Sequence, residues 1–204
     1  RYVKHDVNKG LFAARITGIN AAEGDYIAFV DSDDYVSIDY FRKLIKSIED
    51  NNSDMAIANS VLEFDDGRKL TYNLFETNDI NLEGDEVINE YFNQEGLAFD
   101  WHITCNKVYK KEIWLKALKH YEKQTKRLIM TEDFAFSSVL YYYAKRVTKI
   151  SNDVYFYCKH EKTATSTKKF DYARFEKNIN DMITSFNFVR DFMKDVNIYE
   201  KYNR

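Results

Sequence analysis

A short apolar segment that ends in a run of acids constrains this chain more than any other feature. Residues 26–30 read YIAFV, and Asp31, Asp33 and Asp34 follow directly. A continuous apolar run of this length is typical of a strand buried on both faces, as in a parallel sheet. Ligands of open α/β sheets bind beyond the carboxyl ends of the strands. The acid run is therefore a candidate binding site.

The spacing of these three acids indicates a cation. Carboxylates packed so closely repel one another unless a positive charge neutralises them, and oxygen-only ligands favour hard ions such as Mg²⁺ or Mn²⁺. The alternative is a solvated turn that caps the next helix and needs no metal. An EF-hand loop begun at Asp31 is excluded, because Val36 and Arg42 stand where that loop needs Gly and Glu.

Composition excludes several classes of protein. The chain has 16 Tyr, 15 Phe and 2 Trp among 204 residues, which is typical of a globular protein rather than a disordered one. A net charge of −3 without a basic cluster argues against a nucleic-acid-binding surface. No apolar run approaches the roughly 18 residues of a membrane span. The two cysteines, Cys105 and Cys158, fit neither a zinc spacing nor a disulfide framework, so we expect reduced thiols in a cytoplasm.

Periodicity predicts an α/β fold with a mixed sheet. The Asp66-Gly67 pair predicts a hairpin, which makes the sheet mixed. The expected strands cover Tyr2–Lys4, 26–30, Met55–Phe64, Leu70–Phe75, Val147–Ile150 and Val154–Tyr157, the last two joined by a turn at 151–153. The expected helices cover Asn8 to Gly24, Ile38 to Asp50, 85–94, 110–121, 132–144 and Tyr172 to Val196. We divide the chain into a main domain, 1–166, and a helical extension packed on it, 167–204.

The last of these helices carries an apolar stripe. Its residues alternate steps of three and four: Phe175, Ile179, Met182, Phe186, Val189, Met193 and Val196. Such a stripe fits a long helix laid across the domain, and it equally fits a helix that pairs with a second subunit.

An ordered string surrounds the acid run and carries a family resemblance. It reads Asn8-Lys9-Gly10-Leu11, Ala14-Arg15, Gly18, Ala22, Gly24-Asp25-Tyr26-Ile27, Phe29 and Asp31-Ser32-Asp33-Asp34. This string resembles the central signature of family-two glycosyltransferases, inverting enzymes of the GT-A fold. The resemblance implies that Asp31 contacts a nucleotide-sugar donor and that Asp33 ligates Mn²⁺ or Mg²⁺, with Asp34 as a substitute ligand beside the donor. It also makes Arg15 a candidate for the donor phosphates.

A second motif further along the chain supplies the expected base. Thr131-Glu132-Asp133 resembles the Glu-Asp motif of the same family, so the resemblance implies that Asp133 is the catalytic base and that Glu132 lies beside it on the acceptor side. The chemistry needs such a group, because an acceptor hydroxyl must lose its proton as it attacks the sugar. The alternative is an ordinary acidic first turn of a helix.

Four further residues are assigned through the resemblance. Trp101, Asn106 and Lys107 resemble the acceptor-side segment, with Trp101 either stacked on a sugar or buried in the core. His160 resembles a trailing residue that reaches the diphosphate or the metal, and an exposed loop histidine is the alternative.

Together these motifs predict a metal-dependent inverting glycosyltransferase for surface polysaccharide. We expect a UDP-sugar donor and a saccharide or lipid-linked saccharide acceptor. The expected localisation is the cytoplasm, with peripheral attachment to the inner face of the membrane as a second possibility. A homodimer formed through the last helix is also possible. The resemblance covers residues 3 to 166 and lacks the family's beginning, so we expect residues 1–204 to belong to a longer chain and to bind donor weakly alone.

Two rival functions remain open on the sequence. The segment Val30-Asp31-Ser32-Asp33 also resembles the nucleophile motif of haloacid-dehalogenase-like phosphatases, which expects Thr or Val where Tyr35 stands. A non-catalytic remnant of the glycosyltransferase fold is the other rival.

Overall fold

The computed structural model describes residues 1–72, 81–93, 99–159 and 171–203. The strands in these ranges are β1 (Tyr26–Ala28), β2 (Tyr35–Val36), β3 (Met55–Phe64), β4 (Lys69–Tyr72), β5 (Asn81–Glu83), β6 (Lys107–Lys110) and β7 (Arg146–Lys159). The helices are α1 (Leu11–Ala21), α2 (Tyr40–Asn51), α3 (Asp85–Asn93), α4 (Phe99–His102), α5 (Lys111–Tyr121), α6 (Glu132–Tyr143), α7 (Tyr172–Asp195) and α8 (Tyr199–Tyr202).

The strands form one mixed sheet in the order β1-β6-β3-β7-β2, with β4 beside β3 and β5 beside β7. Strands β3 and β7 are parallel, and β6 runs antiparallel to both β1 and β3. It follows that β1, β3 and β7 point the same way. The predicted α/β fold with a mixed sheet and a long C-terminal helix is confirmed.

Helices cover both faces of the sheet. On one face α2 buries Tyr40, Leu44 and Ile48 against Ala56 and Ala58 of β3. On the other face lies a larger core, to which α1, α5, α6 and the second half of α7 all contribute. Alternation along β3 explains the division, because Met55 and Ile57 point into this second core.

Long periodic segments were predicted well. Strand β3 has the predicted bounds, and β4 pairs with it antiparallel across the Asp66-Gly67 turn. The predicted helices at 85–94, 110–121 and 132–144 correspond to α3, α5 and α6. Within the described ranges, no helix combines the length and the apolar character that a bilayer span requires.

Two strand predictions were wrong. Residues 2–4 form no strand, and Tyr2 is 85% exposed, since no neighbouring strand in the described ranges pairs with them. Strand β7 runs through the predicted turn at 151–153, because its parallel partner β3 offers hydrogen bonds on both sides of that point. The register shifts between Ala58 and Ser60, so the turn-forming residues occupy an irregularity within one strand.

The predicted environment of β1 was also wrong. It pairs with β6 alone and antiparallel, at the edge of the described sheet, and Val30 is 43% exposed beyond its end. An apolar run indicates that a strand can be buried, but it does not indicate whether the neighbouring strand is parallel or antiparallel.

The apolar stripe of α7 divides between two environments. Val189 and Met193 are buried in the large core, together with Phe192. Phe175, Ile179 and Phe186, which precede these residues, are exposed. The apolar contacts of α7 with the large core therefore come from the C-terminal part of the helix.

Candidate active site

The acid run forms a tight turn just beyond β1. The amide of Asp34 donates to the carbonyl of Asp31 at 3.0 Å, which closes the turn. Asp33 points to solvent, and Asp31 is partly exposed. The turn thus presents two carboxylates on the outside, at the place where the sequence predicted a ligand.

Asp34 has a different role from its two neighbours. Its Oδ2 accepts a hydrogen bond from the hydroxyl of Tyr155 at 2.6 Å, and its Oδ1 accepts one from the amide of Cys158 at 2.9 Å. Burial raises the pKa of the Asp34 carboxyl above its ordinary value. Both oxygens are therefore engaged in tying the turn to β7.

Tyr155 also holds the start of the turn. Its hydroxyl accepts a hydrogen bond from the amide of Asp31 at 3.3 Å while it donates to Asp34. The side chain is fully buried against Tyr40 of α2. One rigid ring therefore fixes both ends of the acid turn.

Arg15 connects the acid turn to the second motif. It lies on the buried face of α1, which also carries Phe12 and Ile19, and it is only 5% exposed. Its guanidinium lies 3.5 Å from Asp31 Oδ1, 3.0 Å from Glu132 Oε1 and 2.5 Å from Asp133 Oδ1. Burial opposes its charge, but the attraction of Asp133 and Glu132 outweighs burial and raises the pKa of Arg15. This one cation joins the two predicted motifs.

Glu132 is the more deeply buried acid of the pair. Burial, and after it repulsion from Asp133, raises the pKa of Glu132 to about 8 from an ordinary 4.5. Arg15 opposes this rise without cancelling it. The Glu132 carboxyl therefore takes up a proton more readily than an exposed glutamate does.

Asp133 keeps one oxygen open. Its Oδ1 accepts hydrogen bonds from Arg15, from the Thr104 hydroxyl at 2.7 Å and from the Thr104 amide at 3.2 Å. Within the described ranges no hydrogen bond goes to Oδ2, and the side chain is 28% exposed. The carboxylate is oriented through one oxygen and leaves the other for a ligand.

The three predicted acceptor residues ahead of this motif lie inside the protein. Trp101 is 1% exposed and packs against Tyr91 and Tyr141, which corresponds to the core alternative. Asn106 donates to the carbonyl of Ala58 at 2.8 Å. In this arrangement the Trp101 ring has no face open to a sugar.

Lys107 is fully buried as well. Its ammonium donates to the carbonyl of Ile103 at 2.5 Å and to Asn106 Oδ1 at 2.9 Å. With φ of 50° at Asn106, these contacts shape the turn that brings Thr104 to Asp133. Sugar contact through Asn106 and Lys107 was predicted, but the structure places both as supports of that turn.

The carboxylates of this site could bind a hard cation only together with the phosphates of a bound substrate. In the described ranges no group of three or more His, Cys, Asp or Glu side chains is arranged to hold a metal by itself. Mg²⁺ is commonly bound through one or two carboxylates plus substrate phosphates. The outward acids Asp31 and Asp33 fit that mode. His160, the other predicted ligand, lies outside the described residues.

Two functional contacts were missed by sequence reasoning. Thr104 orients Asp133, and Tyr155 fixes the acid turn. Each acts through a partner far away in the chain, which the local sequence does not reveal.

The sequence also matches a family of known proteins. The family model described as "Glycosyl transferase family 2" matches residues 1–114. "Putative glycosyltransferase EpsH" of Bacillus subtilis is 27% identical over 203 residues, covering 99% of this chain and 55% of the relative. "Uncharacterized glycosyltransferase EpsJ" of the same organism is 29% identical over 163 residues, covering 80% of this chain and 46% of the relative. The chain therefore spans about half the length of these relatives.

Solved structures share the fold. The crystal structure of S. aureus TarS 1-349 in complex with UDP-GlcNAc superposes with a TM-score of 0.62 at 18% identity, over 99% of this chain and 56% of that one. The same protein in complex with UDP gives a TM-score of 0.59 over 90% of this chain and 45% of that one, again at 18% identity. At this identity the likeness establishes the fold alone.

Proposed function

Because this chain belongs to glycosyl transferase family 2, we propose that it transfers a sugar from a nucleotide-sugar donor to a hydroxyl acceptor with inversion. The observation that carries the proposal is the Arg15 cluster, which holds the acid turn and the Glu-Asp motif in one site. The open Oδ2 of Asp133 supplies a group that takes up a proton.

The transfer step is a single displacement. Asp133 Oδ2 takes the proton of the acceptor hydroxyl, and the acceptor oxygen forms a bond to the anomeric carbon. The bond from that carbon to the diphosphate oxygen breaks as the new bond forms, so configuration inverts. Arg15 and Thr104 hold Asp133 Oδ1, which fixes the direction from which Oδ2 meets the hydroxyl.

A divalent cation is part of the proposal. Asp33 would hold Mn²⁺ or Mg²⁺ together with the donor diphosphate while Asp31 contacts the donor, and a bound cation would stabilise the charge of the departing group. Asp34 keeps the turn in shape rather than serving as a ligand, because both its oxygens are engaged.

The donor and acceptor are proposed by class. The similar structures of TarS contain UDP and UDP-GlcNAc, which supports a uridine diphosphate sugar as donor. The relatives include "Succinoglycan biosynthesis protein ExoO" of Rhizobium meliloti, 39% identical over 70 residues, which supports a polysaccharide pathway and a saccharide or lipid-linked saccharide acceptor. With a lipid-linked acceptor the enzyme would work in the cytoplasm at the inner face of the membrane.

The exposed apolar residues of α7 support a proposed homodimer. Ile179, Ile183 and Phe186 present an apolar strip at helical spacing. The α7 of a second copy would cover this strip in a twofold-symmetric interface, in which both copies use the same surface. Sedimentation of the chain beside an Ile179→Glu variant tests this: a dimer that becomes a monomer supports the pairing, and an unchanged monomer contradicts it.

One experiment separates the transferase from its rivals. The full chain is incubated with UDP-GlcNAc and UDP-glucose in Mn²⁺, and release of UDP is followed with and without saccharide acceptors. A transferase releases UDP slowly by hydrolysis and loses this activity in Asp133→Asn. A phosphatase hydrolyses an aryl phosphate and loses that activity in Asp31→Asn, whereas a remnant does neither. The relatives are glycosyltransferases, which favours the first outcome.

A further inference from the structure

The segment that leads into the Glu-Asp motif, residues 122–131, has no helix or strand of its own. On one side it contacts the start of α1, where the amide of Phe12 donates to the carbonyl of Leu128 at 3.3 Å. Gly10 has φ of 89°, and a Cβ at this position would lie 2.8 Å from the Leu128 carbonyl oxygen. The helix that carries Arg15 therefore lies directly against this segment.

On its other side the segment contacts Asp181 of α7. Asp181 Oδ2 accepts hydrogen bonds from the amides of Met130 at 3.1 Å and Ile129 at 3.3 Å. The carboxylate is buried, and across the described ranges it has no cation beside it and no other hydrogen bond. A buried carboxylate is costly unless its donors are held in place, so Asp181 and these two amides fix one another.

Ser185, one turn further along α7, holds the next residue. Its hydroxyl donates to the carbonyl of Thr131 at 3.0 Å and lies 3.0 Å from Thr131 Oγ1. Thr131 has φ of 61°, a conformation that non-glycine residues keep only where their surroundings impose it. The next two residues are Glu132 and Asp133.

These contacts differ from the ones that attach α7 to the domain. Val189, Phe192 and Met193 attach the helix through apolar packing. A helix that served stability alone would be expected to continue this apolar face, since buried polar groups cost free energy unless they are paired. Asp181 and Ser185 instead place polar atoms against the amides of Ile129 and Met130 and the carbonyl of Thr131.

We propose that Asp181 and Ser185 are positioning residues, which hold the segment ahead of Asp133 so that the open carboxylate oxygen meets the acceptor hydroxyl. This inference rests on the proposed transferase function. Displacement of a reacting group by about 1 Å costs about a hundredfold in rate, so a loosened segment would slow the chemical step more than it would weaken donor binding.

The test compares Asp181→Ala, Asp181→Asn and Ser185→Ala with the unaltered full chain. Asp191→Ala is the matched control, because Asp191 lies on the same helix and pairs only with its neighbour Arg190 in the described ranges. Two quantities are measured: hydrogen exchange at the amides of Ile129 and Met130, and kcat and KM for UDP-sugar turnover well below the melting temperature.

We expect Asp181→Ala to speed exchange at both amides and to lower kcat at least tenfold with donor KM changed less than about threefold. Asp181→Asn keeps an acceptor oxygen and should recover part of both losses. Ser185→Ala should lower kcat in the same sense, and Asp191→Ala should match the unaltered chain.

Unchanged exchange in Asp181→Ala would overturn the inference, even if the chain showed no turnover at all. Equal kcat in Asp181→Ala and Asp191→Ala, in a chain that turns over donor, would also overturn it while leaving the proposed function intact. Absence of turnover in an unaltered chain that binds the UDP-sugar would count against the proposed function instead.

Discussion

Arg15 Nη1 lies 2.5 Å from Asp133 Oδ1, although 118 positions separate the two residues in the chain. The same guanidinium reaches Asp31 and Glu132, so the acid turn and the Glu-Asp motif share one buried cation. This relationship makes the two motifs parts of one site, and the predictions below depend on it.

Asp133→Asn should separate chemistry from binding. The amide keeps the size of the side chain but takes up a proton poorly, so kcat for sugar transfer should fall about a hundredfold or more while donor affinity stays near normal. Steady-state kinetics and calorimetry with UDP provide the two measurements. Asp50→Asn on the exposed face of α2 is the control. A variant with weak donor binding and normal turnover would place Asp133 in the donor site instead.

Arg15→Met should destabilise the fold. Removing the cation leaves the buried Glu132 and the partly buried Asp133 without their partner, which costs about 3 kcal/mol in the free energy of unfolding. Urea unfolding at pH 7 measures this loss. Arg15→Lys keeps the charge but offers fewer donors, so it should fall between Arg15→Met and the unaltered chain. Equal stability of all three proteins would show that the cluster has no net stabilising effect.

Glu132→Gln should change how stability depends on pH. The folded pKa of Glu132 is raised to about 8 from 4.5, so the folded chain holds this proton where the unfolded chain releases it. The contribution is fully present below about pH 4.5 and is lost as pH rises toward 8. The unaltered chain should therefore lose more stability between pH 5 and 8 than Glu132→Gln.

Denaturant unfolding at several pH values measures this difference. Glu112→Gln is the control, because the side chain of Glu112 is exposed on α5. Parallel pH profiles for the unaltered chain and Glu132→Gln would contradict the raised pKa.

Tyr155→Phe should loosen the acid turn. Loss of the hydroxyl removes the hydrogen bond to Asp34 and the one from Asp31, at a cost of about 1 kcal/mol in stability. We also expect weaker binding of UDP in Mn²⁺, because the outward carboxylates lose their fixed geometry. Calorimetry beside Tyr172→Phe, whose ring is exposed, measures the effect. Binding as tight as in that control would mean that the turn keeps its shape without Tyr155.

Asp33→Ala should abolish metal-assisted nucleotide binding with the fold intact. The side chain points to solvent on a turn beyond the sheet, so its loss removes no core contact. UDP titrations with and without Mn²⁺, together with thermal melting, test both parts of this prediction. Asp66→Ala in the hairpin turn serves as the control. Unchanged binding of UDP in Mn²⁺ would remove Asp33 from the metal site.

The parts of the fold that the sequence predicts well are those with long local patterns. Strand β3 and helices α3 and α5 carry their apolar pattern within the element itself. Strand β1 and the segment at 151–153 were misjudged because their state depends on a neighbouring strand. Strand β7 is continuous because it pairs with the parallel strand β3 on both sides of 151–153. Strand β1 pairs with the antiparallel strand β6 and lies at the edge of the described sheet.

The candidate site divides in the same way. Asp31, Asp33 and Asp133 stand in local motifs that a resemblance identifies, and the structure brings both motifs to Arg15. The roles of Thr104 and Tyr155 were not predicted, because they arise from contacts across the fold. Trp101 is the opposite case: the resemblance assigned it to the acceptor side, but its side chain is buried in the core.

The contacts of Asp181 and Ser185 with residues 129–131 also bear on biosynthesis. A ribosome delivers the chain from its N-terminus, so the sheet and the Arg15 cluster emerge before the helix that supports the base. Until residue 185 has left the exit tunnel, Thr131 has nothing on α7 to hold its unusual backbone. A nascent chain would thus acquire its acid turn early and its ordered base late, which delays transfer activity until translation of this region is nearly finished.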